Sequence, residues 1–120
     1  MTDLERIADA YVAAWNASEP DERMRLVKAA FTEGASFRDP MMNGEGHAGI
    51  DAMIAGVQER FAGLRFVRKG TPDGFAEMIR FSWALGPEGS DSIVEGTDIG
   101  VVEDGRLARV TGFFDKLPAH

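Results

Sequence analysis

The groups best suited to chemistry in this chain are carboxylates, and one of them stands where a charge is expensive. Asp98 interrupts the apolar run Ile93-Val94-Glu95-Gly96-Thr97-Asp98-Ile99-Gly100-Val101-Val102. On an extended strand the side chains alternate, so Asp98 shares its face with Val94, Gly96 and Gly100, and the two glycines leave open space beside it. Desolvation there raises a carboxyl pKa above about 3.9, and a carboxyl kept un-ionised donates a hydrogen bond. The hairpin that follows decides the face. A three-residue loop, Glu103-Asp104-Gly105, sets Asp98 opposite Val110 and Gly96 opposite Gly112, looking into a cavity bounded by Val94 and Phe114. A two-residue loop, Asp104-Gly105, sets Asp98 opposite Thr111 beside Arg109, as a solvated or salt-bridged residue.

Other candidates each carry two readings. Tyr11 lies in an apolar helical stripe, as a core residue with its hydroxyl satisfied or as a donor in a site. Asp39 precedes Pro40, a common turn initiator, and is also a carboxylate able to take and return a proton. His47 reads as a loop residue with a structural hydrogen bond, and Trp15 and Trp83 as pocket or core aromatics. Gly44-Glu45-Gly46-His47-Ala48-Gly49 fits G-x-G-x-x-G and runs into a helix. Pro40 and several further residues separate it from the preceding strand, the next strand ends in Arg68-Lys69 without a ribose-binding acid, and an antiparallel meander follows. Dinucleotide binding is therefore rejected.

Composition removes further classes. There is no cysteine, and only His47 and His120 are histidines. Thiolate chemistry, disulfides and multi-histidine metal sites fall away, so no cofactor or metal is expected. A net charge of −7 repels phosphate backbones and anionic membranes. The start has neither a basic nor an apolar leader segment, and no apolar run matches a membrane span. A cytoplasmic protein is expected.

The elements follow from periodicity. Leu4, Ile7, Ala8, Tyr11, Val12 and Trp15 form the stripe of a first helix capped by Thr2 and Glu5. Ser18, Pro20 and Asp21 open a second, with Met24, Val27, Ala30 and Phe31 inward and Gly34 at its end. Residues 35–39 form a strand, 41–49 a loop, and Ile50, Met53, Ile54, Val57 and Phe61 a third helix. Strands over 64–69, 75–85, 92–102 and 106–114 complete an antiparallel meander, with Thr71-Pro72-Asp73-Gly74 as its first turn. Helices first and a meander after is an α+β order, one domain over residues 1–120. Ile99, Val101, Leu107 and Phe113 on one face and Val94, Val110 and Phe114 on the other make both faces apolar. A homodimer through the outer face is expected.

With these elements in place, the chain resembles the nuclear transport factor 2-like superfamily, in its SnoaL-like and steroid Δ-isomerase-like branches. The resemblance rests on Ala10-Tyr11-Val12-Ala13-Ala14-Trp15-Asn16, Phe37-Arg38-Asp39-Pro40, Gly46-His47-Ala48-Gly49-Ile50, and the ending Gly105-Arg106-Leu107 to Gly112-Phe113-Phe114-Asp115. It implies a cone-like α+β barrel, three helices in the concave face of a curved sheet. It implies Asp39 as general base, with Tyr11 and Asp98 as the donors facing an oxyanion. The implied pocket draws Trp15, Met53, Val57 and Phe61 from helices, and Phe81, Trp83, Gly96, Val110, Gly112 and Phe114 from strands. The implied activity is a cofactor-independent isomerase or cyclase acting on a small apolar carbonyl compound. The alternative is a non-catalytic ligand-binding or dimerisation module with the same pocket.

Overall fold

Residues 3–118 are described by a computed structural model. Three helices, α1 (Asp3–Asn16), α2 (Pro20–Ala30) and α3 (Gly46–Arg60), combine with six strands: β1 (Phe31–Arg38), β2 (Asn43–Glu45), β3 (Arg65–Phe75), β4 (Met78–Gly86), β5 (Val94–Glu103) and β6 (Arg106–Lys116). The strands form one mixed sheet in the order β2-β1-β6-β5-β4-β3. The β1–β6 pairing is parallel and the others antiparallel.

The α1 stripe works as its spacing predicts, burying Ile7, Ala8, Tyr11, Ala14 and Trp15. Polar clasps fix the helix on the sheet. The Asn16 side-chain amide donates to the Phe66 carbonyl and its oxygen accepts from the Phe66 N–H, at 2.8 and 2.9 Å. Arg68 donates to Asp9 at 2.7 Å. Behind α1, the buried Arg23 of α2 donates to Asp51 of α3 at 2.9 Å and to Gln58 at 3.1 Å. Gln58 in turn donates to the Trp15 and Ala17 carbonyls. The end of α1 that carries Trp15 is thus held from both sides. Thr2, expected in the α1 cap, lies outside the described residues.

Several local expectations need correction. The second helix is capped by Glu19, whose carboxylate accepts from the Asp21 and Glu22 N–H groups, with Pro20 following. It ends at Ala30, because Phe31 turns extended and pairs with Leu107. The segment 41–49 is not one loop: β2 pairs with β1, and α3 begins at Gly46. Thr71-Pro72-Asp73-Gly74 does not turn the chain. Gly70, Thr71 and Pro72 bulge within β3 opposite Phe81, and the turn comes at Ala76-Glu77, with Ala76 at φ 51°.

The β5–β6 hairpin matches neither expected register. Its loop is Asp104-Gly105, both at positive φ, but Ala108 is an extra residue in β6, a bulge that shifts the pairing. Asp98 therefore lies opposite Gly112, and Gly96 opposite Phe114. Two shifts restore the parity of the pocket-facing register, so Asp98 points inward with Val94, Gly96 and Gly100. The same bulge turns Leu107, expected on the outer face, into the core, where it is fully buried.

Candidate active site

Tyr11 reaches the sheet from α1 through a web of rings. Its ring centroid lies 4.9 Å from Phe81, 5.8 Å from Phe31 and 6.1 Å from Trp15. At the end of that reach the Tyr11 hydroxyl donates to Asp98 Oδ2 at 2.6 Å, and the whole contact is buried. Asp98 is 2% exposed. A Cβ on Gly112 would stand 2.8 Å from Asp98 Oδ1 and 3.3 Å from the Asp39 Cβ. Only a glycine there lets the Asp98 carboxyl lie flat against β6, and the same glycine leaves Asp39 and Asp98 on either side of it.

Burial pushes the Asp98 carboxyl up to about 6, against the pull of the Tyr11 hydrogen bond, which favours the ionised form. Burial also drives the Tyr11 hydroxyl well above its ordinary value, and the neighbouring Asp98 charge adds to the rise. The free protein at pH 7 thus holds Asp98 mainly ionised, accepting from Tyr11. The expected neutral donor appears only at lower pH, or when something displaces the balance. The indole N–H groups of Trp15 and Trp83 are buried without a hydrogen-bond partner among the described residues. The Trp83 indole is near enough to favour the Asp98 carboxylate, short of a well-formed bond.

Asp39 directly follows Arg38, the last residue of β1. Its Oδ1 accepts from the Met41 and Met42 N–H groups at 2.8 and 3.0 Å, and its own N–H donates to the Met42 carbonyl. The turn reading is therefore correct as far as one oxygen goes. Oδ2 bonds to nothing among the described residues, and Asp39 lines the cavity.

That cavity has a volume of about 850 Å³, within the range of small-molecule sites. Of the sequence-named wall residues, Trp15, Met53, Val57, Phe61, Trp83 and Phe114 line it, as do Tyr11 and Asp39. Phe81, Gly96, Val110, Gly112 and Asp98 are not among its lining residues. Tyr11 packs over Phe81, the Trp83 ring covers Gly96, and Asp98 covers Gly112. Sequence reasoning missed Phe37 and Phe66, which strand alternation could have placed inward, and Arg60, which extends the helical spacing of Met53 and Val57 by one turn. His47 stands in the first turn of α3, its Nε2 2.9 Å from the Phe31 carbonyl, away from the cavity. Gly44 of the rejected motif serves close packing, since a Cβ there would meet the Gly49 carbonyl at 3.0 Å. Among the described residues no cluster of three or more His, Asp or Glu side chains could hold a metal ion. No helix among them is long and apolar enough to cross a membrane.

A model of the SnoaL-like domain matches residues 8–110. The chain belongs to the SnoaL-like family. A provisionally assigned isomerase of this SnoaL-like family, from Agrobacterium tumefaciens, is 43% identical, superposes with a TM-score of 0.90, and aligns over 96% of this chain and 99% of its own. More distant structures show the shared fold. A provisionally assigned polyketide cyclase from Sinorhizobium meliloti is 16% identical, with TM-score 0.67 over 93% of this chain and 99% of its own. A provisionally assigned ketosteroid isomerase from Kribbella flavida is also 16% identical, with TM-score 0.68 over 98% and 82%. No curated protein matches this SnoaL-like chain.

Proposed function

We propose that this SnoaL-like protein binds a small, largely apolar carbonyl compound and moves a proton next to its carbonyl without a cofactor, as an isomerase or cyclase. The observation that carries this reading is the buried Tyr11–Asp98 pair at 2.6 Å, with Asp39 across Gly112 from it. Asp39 takes the proton on Oδ2 as the C–H bond breaks, and the bonding pair moves onto the carbonyl oxygen. Returning that proton to another carbon completes an isomerisation; attack of the enolate carbon on a second carbonyl, whose oxygen then takes the proton from Asp39, completes a cyclisation. The Tyr11 hydroxyl donates to the oxygen where charge develops. Asp98 acts from beneath: in its neutral form it donates to the Tyr11 oxygen and turns the phenol hydrogen toward the ligand. A ligand that expels water from the cavity raises Asp98 further and favours that neutral form. The isomerase description of the 43%-identical relative fits this chemistry.

A specific observation favours a second reading. Asp39 already spends one oxygen on a turn, as it would in a module that binds without turnover. Hydrogen–deuterium exchange at the carbon beside the carbonyl of cyclic enones, followed by NMR in deuterium oxide, separates the two. The enzyme reading predicts exchange that falls about 100-fold or more in Asp39→Asn, with ligand affinity little changed. Enones that bind but exchange only at the buffer rate would leave the binding module. A second copy of the chain is the proposed partner of the outer sheet face, where Val67 and Phe113 are each 52% exposed and Ile99 and Val101 are half-buried.

A further inference from the structure

One wall of the cavity is a single stripe of α3. Gly49, Ala52, Met53, Gly56, Val57 and Arg60 all line it, at the three- and four-residue spacing of one helix face. From Gly49 to Arg60 the stripe covers 11 residues (60 − 49), about 16 Å at the rise of an α-helix. Gly49 sits at the end near Asp39, since the first turn of α3 packs on β2, which pairs with β1 just before Asp39. Arg60 marks the other end. Small residues keep the stripe flat, and nothing polar interrupts it before Arg60.

Arg60 is the sole cationic side chain lining the cavity among the described residues, in a chain whose net charge is −7. Acidic side chains are in excess, yet none of the described ones forms an ion pair with it. Its guanidinium instead lies 5.6 Å from the Phe61 ring centroid, over an aromatic face that also lines the cavity. Stacking of that kind holds the planar donor fork at the rim while leaving its N–H groups free for an anion.

Resting on the function proposed above, we propose that the ligand is an elongated amphipathic compound whose end remote from the reacting carbonyl carries a carboxylate, received by Arg60. The carbonyl lies at Tyr11, the apolar body along the α3 stripe, and the carboxylate against the guanidinium. A monoanion is favoured over a phosphate dianion, because a single cation offsets one charge and the surrounding protein is acidic. Arg60 is a specificity-determining residue here and has no part in the proton transfer.

Calorimetry with three probes tests this: para-phenylphenol, the acid bearing a carboxylate at the far para position, and the methyl ester of that acid. The wild-type protein should bind the acid about five- to tenfold more tightly than the ester. That preference should shrink as salt is added. Arg60→Gln should abolish the preference and leave para-phenylphenol binding unchanged. An acid no tighter than its ester in the wild type, or an equal loss for all three probes in Arg60→Gln, would overturn the proposal. Tyr11→Phe should weaken all three alike. A preference that persists while Tyr11→Phe changes nothing would keep the Arg60 subsite and remove the Tyr11 reading. Failure of every probe to bind the wild type would count against both.

Discussion

Asp98 is held by opposed forces. Burial favours its neutral form, while the Tyr11 hydroxyl at 2.6 Å favours its charged one, and burial prevails. The native carboxyl holds its proton up to about pH 6, the unfolded one only to 3.8. Between those midpoints the folded state binds more protons, so stability falls as the pH rises through that window. About two pH units at 1.36 kcal/mol each set a ceiling of about 3 kcal/mol on the loss. Asp98→Asn keeps the shape and an acceptor for Tyr11 but carries no charge to bury. Urea denaturation should find it more stable than the wild type by about 1–3 kcal/mol at pH 7, with the difference closing toward pH 4. A variant less stable at pH 7 would show that the ionised carboxylate is well satisfied where it lies. Asp98 stood out in the sequence as the one acid among the valines and glycines of its face, but the hairpin left open which way that face turned. Asp39 was half legible, since an Asp-Pro step reads as a turn whether or not its second oxygen does chemistry. Arg60 was missed, because an arginine in the last turn of a helix reads as solvated until the cavity beside it is seen.

At the scale of elements, the site depends on parity as much as on proximity. A one-residue change of register carries every side chain of a strand to the other face, so one error would have moved Asp98 into solvent. The Asp104-Gly105 turn was one of two readings of the sequence, yet it alone would have aligned Asp98 with Thr111. The Ala108 bulge corrects the parity, and nothing in Leu107-Ala108-Arg109 announces it. Bulges answer to the curvature of the whole sheet, which local sequence does not encode. The same holds at Gly70-Thr71-Pro72, where turn-forming residues are used as a kink inside β3 and the turn itself falls on Ala76-Glu77. Helices were read better, because an apolar stripe such as that of α1 specifies its buried face without reference to any partner. Their ends were read less well. Phe31 fits the helical stripe of α2, but its burial against Leu107 of β6 outweighs continuation of the helix.

For the molecule as a whole, the cavity takes one face of the sheet and leaves the other to be accounted for. With Leu107 turned inward, that outer face still carries Ile99, Val101, Val67 and Phe113, with Ser82 and Thr97 between them. Sedimentation should give a homodimer at micromolar concentration, and Ile99→Asp should shift it toward monomer, because that charge loses its water on association. A wild-type species at the 13.1 kDa monomer mass throughout the micromolar range would reject the dimer. When a ligand fills the cavity, Asp98 takes up a proton and donates to the Tyr11 oxygen. Carboxyl-carbon NMR on Asp98 tests it most directly, in the free protein and with para-phenylphenol bound. The predicted result is a midpoint near 6 in the free protein, and a higher one with the phenol in place. A midpoint at or below 3.8, or one that falls when the phenol binds, would contradict it.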